Sequence, residues 1–375
     1  MKKLKIGILT EIINFHSGPR APLEIARHIA KLGHDVTVYA LDTKLSPSAK
    51  ESLKKNGVKI KTFKRVNIPY FGKWITSISL YKTLKKDSPD LMTFSGTMPF
   101  FAAGKLTGKP IIRIYQGTQF DALLENVIPG EKIPLALSIL NKIANVYIFL
   151  NDFISFRLAN GIVCISKFAK DEGESLYRRK VDKIIYHGTS GLPHTAKSKG
   201  SSKTTKLISV SRITPYKGFH LIINAIRDLK DPLHLTIAGS QPKPKYIKYL
   251  KRIGGKNLKI VIDPTDRLLA KLYSINHIYV NADRYLYFGL PITEGASFRL
   301  PTISFDFAAA HELVIHGKTG FIAKTPTDFS VYLKKLINSP KLREKMGKEA
   351  RDRAQNFFTW EKAAKQYLDL FEKII

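Results

Sequence analysis

KIGILTEIINFHSGPRAPLEIARHIAKLGHDVTVYAL, residues 5–41, decides the fold. Its first six residues form an apolar run of strand length. Over 22–32 the apolar residues Leu23, Ile25, Ala26, Ile29 and Ala30 recur at helical spacing. Gly33 stops that helix, and HDVTVYAL returns to strand. Strand, helix and strand in one short stretch make a βαβ unit, the opening of a parallel sheet.

Working outward, the same alternation continues. Strands are expected at 58–63, 90–94, 110–115, 161–165 and 183–186, with helical patterns between most of them. The segment 133–150 is the most apolar, but Asn141, Lys142 and Asn145 interrupt it. A transmembrane span needs ~20 residues with few polar ones. A buried helix is the favoured reading there, and a helix lying on a membrane surface the alternative. Residues 191–206, GLPHTAKSKGSSKTTK, have almost nothing to bury and read as a linker. The alternation then restarts, with strands at 206–210, 233–238, 258–262, 277–280, 301–305 and 320–323. Helices are expected at 219–228, 246–253, 266–274, from Pro291, and at 308–314. Two more fall within 340–355 and 360–375. The reading is α/β, two doubly wound domains: 1–190, then the linker, then 207–355, with 356–375 as a closing helix. In such a pair the ligand crevice is expected between the carboxyl ends of the two sheets.

Composition narrows the functional classes. The chain has 375 residues, 44% hydrophobic and 25% charged, which excludes long disorder. No secretory leader is expected, because the first apolar stretch is short, contains Lys5 and leads into Glu11. Cys164 is alone, so no intrachain disulfide or cysteine zinc site forms, and a reducing, cytoplasmic compartment is expected. Lys and Arg number 62 against 30 Asp and Glu, a formal charge of +32. The excess is +15 over 1–190 and +17 over 191–375, so no basic tail accounts for it. Such a field favours phosphorylated ligands or an anionic membrane surface. No nucleic-acid module accompanies it, so specific nucleic-acid binding is not expected.

Two constellations carry chemistry. In SRITPYKG, 211–218, Arg212 and Lys217 bracket a turn that follows a strand and opens a helix. Cations beside free helix N–H groups suit a diphosphate. In YFGLPITEG, 287–295, Gly289 allows a close backbone approach and Pro291 suits a first helical turn. Phe288, Gly289 and Leu290 then offer N–H donors, and Glu294 can accept from vicinal hydroxyls. No two histidines stand at metal-ligand spacing with a nearby carboxylate, and no metal is expected. Tyr70, Phe71, Trp74 and Tyr81 interleave with Lys73, Lys82, Lys85 and Lys86. Core packing with a solvated basic face is the plainer reading of that stretch, and docking at a membrane interface the functional one.

At these places the sequence resembles the GT-B glycosyltransferases, and among them the large retaining family 4. The resemblance runs along nearly the whole chain. It rests on KIGILT with the loop Ser17-Gly18-Pro19-Arg20, on Gly33-His34-Asp35-Val36, and on Ile165-Ser166-Lys167-Phe168. It continues through Arg212 with Lys217-Gly218, Phe288-Gly289-Leu290-Pro291 with Glu294, Glu312 with Gly317-Lys318-Thr319-Gly320-Phe321, and Phe358-Thr359-Trp360. The resemblance implies a nucleotide-diphosphate sugar donor and a glycan or lipid-linked acceptor, with no cofactor. Arg212 and Lys217 would neutralise the leaving diphosphate, and Glu294 would hold the ribose. Phe288, Gly289, Leu290 and Gly239 would face the donor, with Gly18 approaching from the other domain. The closing helix would cross back onto the first domain.

Two positions depart from the family pattern. Leu286 stands eight before Glu294, where the first glutamate of the family's paired motif belongs; Asp283 and Arg284 are its nearest polar substitutes. Gln116 stands where a histidine often faces the reaction centre, and it joins Arg212 and Lys217 as the expected catalytic set. Gln cannot serve as an acid or base near neutrality. The alternative these departures raise is a silent relative that binds nucleotide-sugar or glycan as a partner subunit. His187-Gly188 reads first as a turn, and Glu312 as either a packing or a donor-site residue.

Overall fold

The computed structural model describes residues 2–13, 20–43, 45, 47–68, 71–118, 120, 123–189, 192 and 204–375. Elements follow in chain order as β1 (Lys5–Ile13), α1 (Ala21–Lys31), β2 (Asp35–Thr43), α2 (Pro47–Lys55), β3 (Val58–Thr62), α3 (Gly72–Asp87) and β4 (Leu91–Ser95). Next are α4 (Met98–Lys105), β5 (Ile111–Tyr115), α5 (Leu135–Leu158), β6 (Gly161–Cys164), α6 (Lys167–Tyr177) and β7 (Lys183–Ile184). The second half holds β8 (Thr205–Val210), α7 (Phe219–Ile226), β9 (Leu233–Gly239), α8 (Pro244–Gly254), β10 (Leu258–Ile262), α9 (Asp266–Ile275) and β11 (Ile278–Asn281). It closes with α10 (Leu290–Ser297), β12 (Thr302–Phe305), α11 (Ala310–Leu313), β13 (Gly320–Ala323), α12 (Pro326–Asn338), α13 (Pro340–Asn356) and α14 (Trp360–Ile374).

The chain divides into two compact units. Unit 1 comprises Met1–Thr118, Val146–Gly188 and Trp360–Ile375; unit 2 comprises Gln119–Asn145 and Thr189–Thr359. The unit 1 sheet is parallel, in the order β3-β2-β1-β4-β5-β6-β7. Its interior strand β1 is buried on both faces, with Ile6, Ile8 and Leu9 almost inaccessible. That is why the first strand reads as an apolar run rather than an alternation. Ile8 lies opposite Val38 on one side and Thr93 on the other. The unit 2 sheet is also parallel, in the order β10-β9-β8-β11-β12-β13, over a core that includes Leu207, Ile237, Val280 and Ile303. In each sheet the chain order reverses beside the first strand. The reversal falls between β1 and β4 in unit 1 and between β8 and β11 in unit 2. Such reversals open a crevice outside the carboxyl ends of the strands.

α14 packs on α1 inside unit 1. At its start the Trp360 ring lies 5.3 Å from the buried His187 imidazole. A Cβ on Gly188 would stand 2.2 Å from the Trp360 nitrogen, so only glycine lets the chain pass. Burial alone drops the His187 pKa to about 4. His187-Gly188 thus serves packing at the foot of this helix.

The structure corrects the sequence reading in several places. Residues 119–145 group with unit 2 rather than with the rest of 1–190. Ile128 packs on the unit 2 core, and Tyr285 Oη donates to the Phe120 carbonyl at 2.7 Å. Thr205 joins Lys206 in β8 rather than the linker, and Leu192 is buried; residues 191 and 193–203 lie outside the described residues. The helix expected at 308–314 shrinks to Ala310–Leu313, because Ala308 takes a left-handed φ of 49°. α12 was not read from the sequence, although Thr325 and Asp328 form a capping box with Pro326 in the first turn. Finally, α5 is not a buried helix. Leu135, Ile139, Leu140, Ile143, Val146 and Leu150 all face solvent. An apolar count registers hydrophobicity but not whether a neighbour covers it.

Candidate functional site

In unit 2 the loops after β8 and β11 meet at the strand-order reversal. The loop 211–218 ends in the short 3-10 turn Pro215–Lys217, and Gly218 follows with φ 71°. A Cβ at Gly218 would sit 2.2 Å from the Ala282 carbonyl oxygen, so the glycine is what lets the two loops touch. That contact brings Lys217 against Asp283. The Lys217 ammonium donates to Asp283 Oδ2 at 2.5 Å, and both side chains are less than a tenth exposed. Asp283 Oδ1 accepts the Tyr285 N–H at 3.0 Å, which fixes the carboxylate. Burial pulls the Lys217 pKa below the ordinary lysine range; Asp283 opposes the fall and the Arg212 charge adds to it. The Tyr216 ring meets both cations, 5.5 Å from the Arg212 guanidinium carbon and 4.9 Å from Lys217 Nζ.

Gly239 closes this loop from the β9 side. A Cβ there would lie 1.6 Å from the Ser211 carbonyl, so Gly239 shapes the turn that presents Arg212. α10 opens at Gly289, with φ 86°, and Pro291 sits in its first turn as expected. Phe288 is buried with its ring edge-on to Phe358 at 5.6 Å, and Leu290 is buried too. The first N–H groups of a helix have no partner within it and carry its partial positive charge.

Glu294 is buried on α10, and its Oε2 accepts from Tyr273 Oη of α9 at 3.0 Å. Burial, and after it Glu294, raises the Tyr273 phenol well above its ordinary range, so it stays a donor. Tyr279 of β11 donates to the Val210 carbonyl at 3.1 Å. Its phenol is also raised, first by burial and then by the charges of both Glu294 and Asp283. Tyr279 therefore stands within electrostatic reach of both carboxylates. The Tyr273 and Asp283 partnerships were missed in the sequence because they join residues 21 and 66 positions apart. Tyr216 could have been noticed inside its own motif.

Leu286 does not offer a polar group to this site. Its side chain is buried, and a Cβ on Gly289 would meet Leu286 Cδ1 at 2.6 Å. Its carbonyl accepts from Ala309 N–H at 3.0 Å. Asp283 does not replace a glutamate there either, since Lys217 and the Tyr285 N–H engage both of its oxygens. Glu312 contributes its carbonyl to Arg353 Nη2 at 2.8 Å.

In unit 1, Gln116 follows β5 at the carboxyl edge of the sheet. A polar network brackets it. Glu172 Oε2 accepts from Tyr115 Oη at 2.6 Å and from Thr118 N–H at 3.1 Å, fixing the residues on either side of Gln116-Gly117. Tyr177, Asp152 and Arg113 extend the network inward. At the strand-order reversal of this sheet, Glu11 Oε1 accepts from Thr97 N–H at 2.9 Å, and Oε2 pairs with Lys73 Nζ at 2.8 Å. Gly18 lies outside the described residues. Cys164 is fully buried, and burial raises its thiol pKa. No group of metal-ligating side chains occurs among the described residues.

Both halves of this description match known families. Residues 20–189 match the family model Glycosyltransferase Family 4, and residues 194–353 match Glycosyl transferases group 1. The chain belongs to these glycosyltransferases. It is 30% identical to a probable sucrose-phosphate synthase of Thermosipho melanesiensis over 44% of this chain, a match spanning only 41% of that relative. It is 26% identical to an uncharacterized glycosyltransferase of Methanocaldococcus jannaschii over 80% of this chain and 79% of the relative. In structure it is similar to Anabaena HepE in complex with UDP and glucose. The TM-score is 0.77 at 16% identity, covering 99% of this chain and all of the other, and it supports the GT-B fold of two parallel-sheet α/β domains.

Proposed function

We propose that the protein transfers a sugar, with anomeric retention, from a nucleotide-diphosphate donor to a hydroxyl of a glycan or lipid-linked precursor. One observation carries the reading: a buried ammonium, Lys217, is held at the strand-order reversal of unit 2 beside Arg212. A buried cation paired with a carboxylate gains by receiving a further anion. Arg212 and Lys217 bind the two phosphates and stabilise the charge that develops as the sugar–oxygen bond breaks. The N-terminus of α10, at Gly289 and Leu290, faces the donor, and Glu294, oriented by Tyr273, takes the ribose hydroxyls. Gly239 shapes the loop beside the diphosphate.

The acceptor oxygen forms its bond to the anomeric carbon on the face the diphosphate leaves, and its proton passes to a leaving phosphate oxygen. No protein base is needed on that route, which suits Gln116: it hydrogen-bonds and orients but does not titrate. HepE's complex with UDP and glucose makes uridine donors the first to try.

The test is calorimetric binding of a panel of nucleotide-diphosphate sugars, each followed by an assay for released nucleoside diphosphate and by NMR of the product anomer. One donor should bind, turn over, and give product of unchanged anomeric configuration. If no donor binds even at millimolar concentration, the reading fails.

A further inference from the structure

α3 has two faces of opposite character. Gly72, Thr76, Ser77, Leu80 and Leu84 are buried. The outward stripe begins with Phe71, Trp74, Ile75 and Ile78, which are 67%, 45%, 41% and 55% exposed. One and two turns further on, the same stripe carries Lys82, Lys85 and Lys86, all exposed. No carboxylate occurs from 72 to 86, and Asp87 is engaged by Lys61 and Tyr39. The expectation that Phe71 and Trp74 pack in the core is therefore wrong. Tyr81 is half-buried, and Tyr70 lies outside the described residues.

α5 repeats the pattern. Within unit 1, Val146, Tyr147 and Leu150 are about half exposed. From 132 to 151 there is again no carboxylate. Both helices reach the Glu11 corner of unit 1. Lys73 of α3 pairs with Glu11, and the Tyr147 phenol is raised by partial burial and by the Glu11 charge. An exposed apolar stripe such as that of α3 marks an interaction surface.

We propose that the outward face of α3, with the exposed residues of α5 from Val146 onward, docks on an anionic lipid bilayer. The aromatic and aliphatic residues of α3 enter the acyl–headgroup boundary, while Lys82, Lys85 and Lys86 meet the head groups. Charge selects this occupant over a second copy of the chain. Each copy carries +32, and pairing through this face would press two sets of these lysines together. No helix among the described residues is long and apolar enough to cross a membrane, so the contact is peripheral. The proposal extends the functional reading, since a bilayer would present a lipid-linked acceptor. Docking is nevertheless measured without any donor, so either reading can fail alone.

The chain holds two tryptophans, of which Trp360 is buried and Trp74 exposed, so emission reports on α3. The experiment is flotation of the full chain with vesicles of phosphatidylcholine alone or mixed with phosphatidylglycerol, with fluorescence quenching by brominated lipid. The chain should float with the anionic vesicles, with Trp74 emission shifting to the blue and being quenched. Trp74→Phe should keep binding but lose the shift, and Trp74→Ser with Ile78→Ser should lose most of the binding. Lys82→Gln, Lys85→Gln and Lys86→Gln together should weaken binding about a hundredfold, roughly fivefold for each lysine removed. Lys341→Gln, Lys345→Gln and Lys348→Gln on α13 remove the same charge elsewhere and should change it far less. Equal losses from the two triple variants, or binding without a Trp74 response, would show a diffuse charge effect and overturn the proposal. So would failure to bind, or self-association that Trp74→Ser abolishes.

Discussion

The two strand-order reversals are built on the same plan and filled differently. In unit 2 the corner holds Lys217 and Asp283, an ion pair less than a tenth exposed. In unit 1 it holds Glu11 and Lys73, with side chains 21% and 32% exposed. Burial turns the first pair into a constraint. Neither partner can be removed without stranding a charge. The second pair is wet enough to exchange partners at little cost. Topology thus supplies two equivalent corners, and desolvation is what sets them apart.

The largest expected effect tests that contrast directly. Asp283→Ala should destabilise the protein by about 3–5 kcal/mol in chemical denaturation, the usual cost of breaking a buried pair. Lys217→Met with Asp283→Leu should recover much of that stability while leaving donor binding lost. If Asp283→Ala proves as mild as a surface substitution, the distinction between the corners collapses.

Acid should strain both units in the same pH window. His187 in unit 1 and His220 in unit 2 are each lowered to about 4, from an ordinary 6.5, chiefly by burial. Below 6.5 the unfolded chain takes up protons that the folded chain refuses. Stability present above 6.5 is therefore lost as pH falls toward 4, by roughly 2–3 kcal/mol for His187 and by less for His220, which solvent partly screens. His187→Phe should flatten part of that slope, and an unchanged slope would mean the imidazole is not desolvated.

Next in size is donor binding. Lys217→Ala and Arg212→Ala should each weaken nucleotide-sugar affinity by roughly 1–3 kcal/mol, as for lost charge-assisted hydrogen bonds. Because the Lys217 pKa is lowered, donor affinity should fall at a lower alkaline pH than an ordinary lysine would produce. Glu294→Gln should weaken the nucleotide-sugar but leave free diphosphate nearly unaffected. Unchanged affinity in both cation variants removes the clamp. The smallest effect belongs to the other corner: Glu11→Gln should cost about 1 kcal/mol or less in denaturation, in keeping with a partly exposed pair.

The strands were legible because parallel strands buried on both faces leave unbroken apolar runs, as in β1, β6 and β11. The glycine and proline of the α10 turn were legible because backbone geometry restricts residue choice locally. What escaped depends on contacts distant in sequence. Lys217 was recognised as a cation but not as half of a buried pair, and Glu294 was recognised without the tyrosine that aims it. α5 was misread because an apolar helix looks the same whether its face is covered or bare. The missed α12 is a different failure, since its capping box was in plain view.

The return of α14 to unit 1 has a consequence for the order in which the molecule is made. Unit 1 needs Trp360 against His187 and α14 against α1, yet those residues are synthesised after every residue of unit 2. Domains usually fold in the order they leave the ribosome. Here the half of the chain that emerges first must wait, with the face of α1 uncovered, while the half encoded later completes itself.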